Sequence, residues 1–339
     1  MNSKSYIAIS IALVLTQGCG SSDSKDTVKP EQKPVFSLSV SDAPVEDALQ
    51  VVVCFNTVEL KAVDSANNQT FVIGSNGNAA ATNDLCATSE GVVEPNTRGI
   101  DLLSLSGIKA EQIFSDIEIA AGNYNQIRLT ISDKSYVLVD VDKDGLADDH
   151  DNDGIADKLS LKVPSNELKL DGFTATQGQQ VDLTIEFDLR KGMTNPVGQA
   201  GYILKPRGVR IVDNSVSGHI QGTVAETLLL DNQCAVAPAN LMSSVASVYL
   251  YEGISLDATT LADNGGSEGQ EPLTSTAVLY DGAGNYNFEI GYVKTASYTL
   301  ALSCDEDIDP EGDDAVSFIN ILEASVAEKG QITKVNFGG

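Results

Sequence analysis

The chain has no tryptophan, only two histidines and few basic residues, and each scarcity argues against a class of function. Over 339 residues, 21 Lys and Arg stand against 48 Asp and Glu, which gives a net charge of -27. This excess of negative charge opposes binding to nucleic acids and to anionic lipid surfaces. The absence of tryptophan removes the best platform for stacking a sugar ring. The tyrosines left as weak candidates, which we expect in a core or at a sheet edge, are Tyr249, Tyr251, Tyr280 and Tyr292.

The two histidines do not complete a recognisable catalytic site. The segment Gly265–Gly269 matches the nucleophile-elbow pattern Gly-x-Ser-x-Gly, but no apolar strand precedes it and no helical pattern follows it. His150 and His219 both precede its serine, whereas a hydrolase of that fold places the histidine after it. Paired carboxylates could act as general acid and base, but 48 acidic residues do not single out two. We therefore predict no enzymatic activity and name no catalytic residue.

The N-terminus has the pattern of an export signal rather than of a membrane span. Lys4 precedes the apolar segment Tyr6–Leu15, which is too short to cross a bilayer. The segment Leu15-Thr-Gln-Gly-Cys19 resembles the lipobox of bacterial lipoproteins, with the leucine one place further upstream than usual. The resemblance implies a signal peptide over residues 1–18 and lipidation of Cys19, and Gly20 after it implies transfer to the outer membrane. An ordinary secretory signal followed by a spare cysteine is the alternative.

The remaining four cysteines fit an exported protein. Two lie in each half of the chain, which pairs Cys54 with Cys86 and Cys234 with Cys304. One disulfide in each half is the natural arrangement in an oxidising compartment, where such a bond typically contributes about 2–4 kcal/mol. Free thiols or a metal site are the alternatives, and a metal would need closer Cys or His neighbours.

Apolar and polar residues alternate with a period of two from Val35 onward. Clear examples are Phe36–Val40, Ile127–Ile131 and Val181–Phe187, where one face of each strand should be buried. Helical patterning is almost absent, and Ile108–Ile117 is the one segment expected to form a short helix. The length suffices for two cores, so we predict an all-β protein of two β-sandwich domains.

The most informative stretch is the acidic segment 140–157, which repeats Asp-x-Asp-x-Asp-Gly-x-x-Asp. Calcium loops place oxygen ligands at positions 1, 3, 5, 7, 9 and 12 and a glycine at position 6. Gly145 and Gly154 occupy position 6, but the second loop reaches only Ser160 at position 12 and lacks its closing ligand. The candidate ligands, through a main-chain carbonyl at the two aliphatic positions, are Asp140, Asp142, Asp144, Leu146, Asp148, Asp149, Asp151, Asp153, Ile155 and Asp157.

A solvated acidic loop is the alternative for this segment. Glycine at position 6 and an aliphatic residue at position 7 in both copies argue against it. The segment resembles thrombospondin type 3 repeats and other calcium-stabilised linkers, which implies one or two structural Ca²⁺ ions between shared aspartates. The strand-like segments Tyr136–Val139 and Leu159–Val163 flank it, so we expect the ion site at the end of a β-hairpin.

Several motifs resemble a bacterial lipoprotein family, domain of unknown function 4382. They include Ser41-Asp-Ala-Pro-Val45, Ala121–Leu129 and Gly201–Pro206. The resemblance covers residues 35–214 and implies an extracytoplasmic β-sandwich with no assigned activity. The acidic segment would be an insertion into that domain.

The region 215–339 is expected to form a second domain. Asp281–Ile290 followed by Ser297–Leu302 fits two strands joined by a glycine turn. The pattern resembles the transthyretin-like, carboxypeptidase-regulatory type of small sandwich, which is grouped with carbohydrate-binding-like folds.

These expectations combine into an envelope lipoprotein whose polar residues 19–34 form a disordered tether. It would act as a calcium-stabilised binding or scaffolding module, attached to the membrane by its lipid alone. The partner would be an envelope protein or a glycan that the sequence does not identify, and not a nucleic acid. The alternative is a carbohydrate-binding or hydrolytic lipoprotein that uses an acidic cleft.

Overall fold

The computed structural model describes residues 32–43, 45, 48–75, 80–82, 84–87, 91–141, 144–149, 154–198, 200–265, 269–305, 316–326 and 329–339. Throughout these ranges β-strands supply most of the regular structure. The helices found there are α1 (Leu189–Gly192) and α2 (Glu226–Asp231), together with 3-10 turns. The predicted all-β fold class is confirmed.

The strands before residue 214 form two sheets. The smaller sheet has the order β13-β10-β1-β5, in which β1 runs parallel to β10 and the other neighbours are antiparallel. The larger sheet has the order β11-β12-β8-β7-β2-β6-β9, and β3 and β4 also pair with the long strand β2. The strands are β1 (Val35–Ala43), β2 (Ala48–Ala62), β3 (Gln69–Val72), β4 (Arg98–Asp101), β5 (Glu111–Glu118), β6 (Gly122–Ile131), β7 (Tyr136–Val139), β8 (Leu159–Lys162), β9 (Glu167–Ala175), β10 (Gln180–Asp188), β11 (Met193–Thr194), β12 (Tyr202–Leu204) and β13 (Val209–Asp213).

The alternation of residues decides which side chains form the N-terminal core. Phe36 and Leu38 of β1 and Val58 and Leu60 of β2 are fully buried in one hydrophobic cluster, together with Ile127 of β6. Because successive side chains in a strand point to opposite faces, residues two apart enter the same core. The predicted inward faces of β1 and β6 are therefore confirmed.

The strands after residue 214 form one sheet of seven, in the order β19-β18-β15-β16-β17-β14-β20. All seven contribute side chains to one hydrophobic cluster, and the edge strands β19 and β20 contact each other, so the sheet curls around the cluster. On β15, Val248 and Leu250 enter that cluster, whereas Tyr249 and Tyr251 point to the other face and pack near Phe318. The strands are β14 (Ser217–Val224), β15 (Ser244–Glu252), β16 (Thr274–Tyr280), β17 (Tyr286–Lys294), β18 (Ser297–Ser303), β19 (Phe318–Ser325) and β20 (Ile332–Phe337).

The helix expected over Ile108–Ile117 is wrong, because residues Glu111–Glu118 form strand β5. This strand pairs with β1 through two register irregularities, and Asp116 within it has a φ of 52°. Each irregularity interrupts the period of two. The bulged pairing with β1 thus explains why the sequence pattern did not look like a strand.

The glycine turn near Asp281 joins different strands from those expected. Residues 281–285 connect β16 to β17. Strands β17 and β18 are consecutive along the chain, but β15 and β16 lie between them in the sheet. The Asp281 side chain caps the turn by accepting hydrogen bonds from the amides of Ala283 and Asn285.

Both expected disulfides are present and thus confirmed. Cys54 on β2 is bonded to Cys86, and Cys234 is bonded to Cys304, with Cα–Cα distances of 5.9 and 5.5 Å. The expected boundary between residues 214 and 215 falls in the 3-10 turn Asn214–Val216. Separate hydrophobic clusters form on its two sides, within one compact unit, Gln32–Gly339.

Within the described ranges, no helix has both the length and the apolar character needed to cross a membrane. The expected signal peptide over residues 1–18 and the lipidation site Cys19 lie outside the described residues, as do residues 20–31 of the expected tether.

Candidate metal centre

The acidic segment lies at the end of the β-hairpin that the sequence predicted. Strands β7 and β8 are antiparallel, with Tyr136 opposite Ser160 and Val137 opposite Leu159. The segment connects these two short strands. Of its ten candidate ligands, Asp142, Asp151 and Asp153 lie outside the described residues.

The first loop folds around the carboxylate of Asp140. This side chain is only 4% exposed, and its Oδ1 and Oδ2 accept hydrogen bonds from the amides of Asp144 and Gly145, each at 2.9 Å. Asp144 Oδ1 in turn accepts a hydrogen bond from the amide of Leu146 at 2.8 Å. Gly145 has a φ of 88°, a conformation that costs little only for glycine. The glycine at position 6 is therefore required by the turn itself.

The second loop repeats the central contact of the first. Asp149 Oδ2 accepts a hydrogen bond from the amide of Gly154 at 2.7 Å, and Gly154 has a φ of 85°. In both copies the carboxylate at position 1 thus bonds to the glycine amide at position 6. Both nine-residue segments form the same internal hydrogen bond, so they share one specific loop geometry. An arbitrary acidic linker would have no reason to repeat it.

Main-chain hydrogen bonds join the loops to each other and to the hairpin. The amide of Asp148 donates to the Val139 carbonyl at 2.9 Å, and the amide of Asp157 donates to the Asp148 carbonyl at 3.0 Å. Asp148 also accepts a hydrogen bond from the Val141 amide through Oδ2, at 3.2 Å. Asp148 therefore connects the first loop to the hairpin and to the second loop.

The aliphatic residues at position 7 do not serve a hydrophobic core. The side chains of Leu146 and Ile155 are 69% and 70% exposed. Burial of these side chains therefore cannot explain why both copies carry an aliphatic residue after the glycine. The calcium-loop pattern uses this position through its main-chain carbonyl, for which the side chain is free to vary.

The donor chemistry of the segment suits a hard cation. It contributes eight carboxylates, and carboxylate and carbonyl oxygens are the ligands that Ca²⁺ prefers. Taken alone, the described ranges contain no group of three or more His, Cys, Asp and Glu residues arranged to hold a metal. Three of the eight carboxylates fall outside those ranges, so the ligand set remains a prediction.

The four tyrosines considered for sugar stacking do not form an exposed platform. Tyr249 and Tyr251 are fully buried. Tyr280 packs against Tyr286, with 5.2 Å between ring centroids, and Tyr292 packs edge-on against the His219 ring at 5.0 Å. The predicted placement of these tyrosines in a core or at a sheet edge agrees with these contacts. The serine of the nucleophile-elbow pattern, Ser267, lies outside the described residues.

A buried group of carboxyls was missed by sequence reasoning. The alternation on β10 predicts one buried face, but both faces are buried: Glu186 and Asp188 at the polar positions are each 2% exposed, and Asp42 of β1 is completely buried. Burial raises the pKa of Glu186 to about 8, against the opposing effect of Arg210. Burial and the charges of Glu186, Asp188 and Asp101 raise the pKa of Asp42. Alternation alone does not distinguish a polar face that meets water from one covered by the rest of the protein.

The architecture and the two disulfides define an all-β protein of an oxidising, extracytoplasmic compartment. A family model described as "Domain of unknown function (DUF4382)" matches residues 34–206, about half of the chain. The chain belongs to this family. The resemblance inferred from the sequence motifs is thereby confirmed for the N-terminal region. No curated protein matches the chain.

The chain is similar to several crystal structures of adhesins and pilins, with low sequence identity and low TM-scores. They include a candidate cell adhesion protein of Bacteroides fragilis, with 9% identity, 90% of this chain and 91% of that one covered, and a TM-score of 0.20. A candidate adhesin of Bacteroides ovatus has 8% identity, coverage of 96% and 99%, and a TM-score of 0.18. The shaft pilin spaA of Lactobacillus rhamnosus GG has 8% identity, coverage of 91% and 98%, and a TM-score of 0.19. At these TM-scores the similarities carry no argument about fold or function.

Proposed function

We propose that the protein is a lipid-anchored binding or scaffolding module of the cell envelope, in which calcium orders the segment 140–157. The observation that carries the calcium proposal is the repeated bond from the position-1 carboxylate to the position-6 glycine amide, at Asp140 and Asp149. Calcium would be held by oxygens of the ten predicted ligands and would have a structural role. It would neutralise carboxylates that otherwise repel one another.

Two further observations support this role. Strands β7 and β8 are only four residues long each, so their pairing alone gives little order to the long connection between them. The segment is also strongly acidic, and a divalent ion would reduce the repulsion among its carboxylates. At an affinity typical of extracellular modules, with Kd on the order of 10⁻⁴–10⁻³ M, the ion would bind only in a calcium-rich medium.

Calorimetric titration of the detergent-solubilised chain with Ca²⁺ tests this proposal, together with thermal melts with and without a chelator. We expect heat of binding and a higher Tm in calcium. Asp144→Ala should abolish both effects. The matched control is Asp171→Ala, which removes an exposed carboxylate from β9 and should leave both effects intact. Equal melting curves of the unsubstituted chain in calcium and in chelator would rule out a structural calcium ion.

The anchor is tested separately by Cys19→Ser. We expect this variant to leave the membrane fraction, because a single lipidated cysteine is the attachment that the sequence predicts. Retention of Cys19→Ser in the membrane fraction would contradict the lipid anchor without affecting the calcium proposal.

No observation on the described residues favours the carbohydrate-binding or hydrolytic alternative. The tyrosines that would stack on a sugar are buried or half-buried in aromatic contacts. The deeply buried carboxyls lie between packed strands, where water and substrate have no access. We therefore propose a module that binds or organises other envelope components, without a reaction of its own.

A further inference from the structure

The two hydrophobic cores are connected by a buried polar contact that starts at the end of β10. Asp188, the last residue of β10, accepts a hydrogen bond from Thr274 Oγ1 of β16 at 2.7 Å. In α1, which follows, Arg190 Nη2 donates to Ser247 Oγ of β15 at 2.8 Å, and Lys191 Nζ donates to the Pro272 carbonyl at 2.9 Å. We call the contact of β10 and α1 with β15 and β16 the junction.

A second contact lies beside the junction. A Cβ on Gly291 of β17 would be 2.1 Å from the carbonyl oxygen of Gly107, so only glycine permits this approach. The hydroxyl of Tyr292 donates to the Ile108 carbonyl at 3.4 Å, and Tyr292 has a φ of 52°, which is unusual for an aromatic residue. The amide of Gly107 donates to the Asp42 carbonyl at 3.2 Å, which connects this contact to β1.

Glu186 is buried on the face of β10 that also carries Asp188, and its carboxyl group is only partly hydrogen-bonded. It lies opposite Ser41 of β1 and Arg210 of β13 in the sheet register. The described residues supply no hydrogen-bond partner for Glu186 Oε2 or for either carboxyl oxygen of Asp42. Arg210 Nη2 is 3.9 Å from Glu186 Oε1, which is beyond hydrogen-bond distance. In this environment the ionised form of a carboxyl is destabilised more than the protonated form.

We propose that Glu186 is a proton-operated lock, which keeps the junction closed while it is protonated and loosens the junction when it ionises. The geometry supports this assignment because the strands on both sides of β10, β1 and β13, contact β17 of the C-terminal sheet. Asp188, on the same face of β10 as Glu186, bonds to Thr274 of β16. Opening the junction would let water reach the carboxylate. Mildly acidic surroundings would then favour one rigid body, and alkaline surroundings would favour relative motion of the two cores.

The ionisable groups around Glu186 determine whether the stability of the junction rises or falls with pH. The charged groups that act on Glu186 and its neighbour Asp42 are Asp101, Asp188 and Arg210. Lys191 acts on Asp188, and the charges of Glu186 and Asp182 both act on Tyr292. Burial raises the pKa of Glu186 to about 8, and Asp188 adds to the increase while Arg210 opposes it. Burial also raises the pKa of Tyr292 to about 12, with a further contribution from Glu186, so Tyr292 stays neutral throughout the relevant range.

The closed junction therefore binds more protons than the open one. Its stability is greatest below the ordinary pKa of a glutamate and falls as pH rises. The loss ends near pH 8, where Glu186 ionises in the closed state as well. The equilibrium constant for closing the junction should fall by up to about tenfold for each pH unit between these limits.

Hydrogen exchange measured by mass spectrometry tests the lock on the full chain, at one fixed calcium concentration. After correction for the pH dependence of the chemical step, we expect protection of peptides covering Pro272–Thr276 to fall by up to about tenfold per pH unit between about pH 6 and about pH 8. The internal control is Ile127–Ile131 of β6, whose protection should not change. Calcium is constant in all samples, so failure of the calcium proposal would not alter this result.

Substitutions assign the effect to Glu186. Glu186→Gln keeps the shape without the charge and should weaken the pH dependence, to which Asp42 and Asp188 still contribute. Glu118→Gln makes the same charge change at an exposed site and should preserve the pH dependence in full. In Arg210→Met the loss of protection should continue above about pH 8, because Arg210 opposes proton binding. Junction protection that is independent of pH in the unsubstituted chain would overturn the proposal. If Glu186→Gln folds, an unchanged pH dependence in that variant would also overturn the proposal. If Glu186→Gln does not fold, an unchanged pH dependence in Arg210→Met would overturn it instead.

Discussion

Tyr124 and Tyr298 make the same hydrogen bond in the two cores. Tyr124 donates its hydroxyl to the Ala120 carbonyl and Tyr298 donates to the Lys294 carbonyl, both at 2.8 Å and both four residues back along the chain. A buried tyrosine whose hydroxyl bonds to the main chain a few residues upstream resembles the tyrosine corner of β-sandwiches. Burial raises the pKa of Tyr298 to about 12 and also raises that of Tyr124, so both hydroxyls remain donors at neutral pH.

Removing either hydroxyl should destabilise the protein by a modest and similar amount. We expect Tyr124→Phe and Tyr298→Phe each to lower the free energy of unfolding by about 1 kcal/mol, because a carbonyl loses its donor. The two losses should add, since the side chains lie in separate clusters. Urea unfolding measures them. Tyr280→Phe is the control, as the described residues supply no partner for its hydroxyl, and a loss as large as that in Tyr298→Phe would contradict the assignment.

At the scale of elements, the β7–β8 connection depends on its two left-handed glycines. Gly145 has a φ of 88° and no atom within 4 Å of the position where a Cβ would lie. Gly145→Ala therefore introduces backbone strain without a steric clash, at a cost of about 1 kcal/mol. If calcium selects the ordered loop, we expect this strain to weaken calcium binding by about fivefold to tenfold.

Titration calorimetry with Ca²⁺ measures the effect of Gly145→Ala. Gly91→Ala is the matched control, because Gly91 also has a positive φ, of 78°, and open space around its Cβ position, but lies outside the acidic segment. It should bear the same strain and leave calcium affinity unchanged. Equal calcium affinities for Gly145→Ala and the unsubstituted chain would show that the turn geometry does not contribute to binding.

The two disulfides constrain connections that packing alone leaves long. Cys54–Cys86 and Cys234–Cys304 join residues that are 32 and 70 positions apart. We expect replacement of either pair by alanine to lower the free energy of unfolding by about 2–4 kcal/mol, because the unfolded chain gains conformational freedom. Urea unfolding at fixed calcium concentration measures the loss for each pair. A loss below about 1 kcal/mol for both pairs would mean that the bonds do not stabilise the fold.

For the molecule as a whole, the sequence revealed features encoded by neighbouring residues and missed those that depend on distant contacts. The alternation of Phe36–Val40, the β7–β8 hairpin and the cysteine pairs were predictable because each follows from local spacing or simple counting. The loop bonds of Asp140 and Asp149 likewise agree with the repeated motif. Strand β5 was mistaken for a helix because its bulges depend on its partner β1.

The junction could not be predicted for a related reason. Glu186 and Asp188 occupy the polar positions of an alternating strand, which is the pattern of a sheet with one face in water. In the folded chain the same face lies against β16, where Thr274 bonds to Asp188. Nothing in the sequence near β10 indicates the junction, because the hydrogen-bond partners lie 57 to 86 residues further along the chain.

Arg190 makes a buried contact between the two cores: it is 9% exposed and donates to Ser247 and, at 3.5 Å, to Ser275. Arg190→Ala would leave these buried hydroxyls without a charged donor. We expect a loss of about 2–4 kcal/mol in the free energy of unfolding and a separation of the unfolding of the two cores, because a charged buried hydrogen bond contributes more than a neutral one.

Differential scanning calorimetry near pH 6, where the junction is closed, measures this coupling. Arg190→Ala should broaden or split the transition, and hydrogen exchange at intermediate temperature should show one core opening before the other. The control is Arg207→Ala, which removes an exposed guanidinium that donates to the Lys191 carbonyl and should cost less than about 1 kcal/mol. If Arg190→Ala unfolds in one transition as sharp as that of the unsubstituted chain, the two cores are held together by apolar packing around β1 and β17 and not by the polar contact at α1.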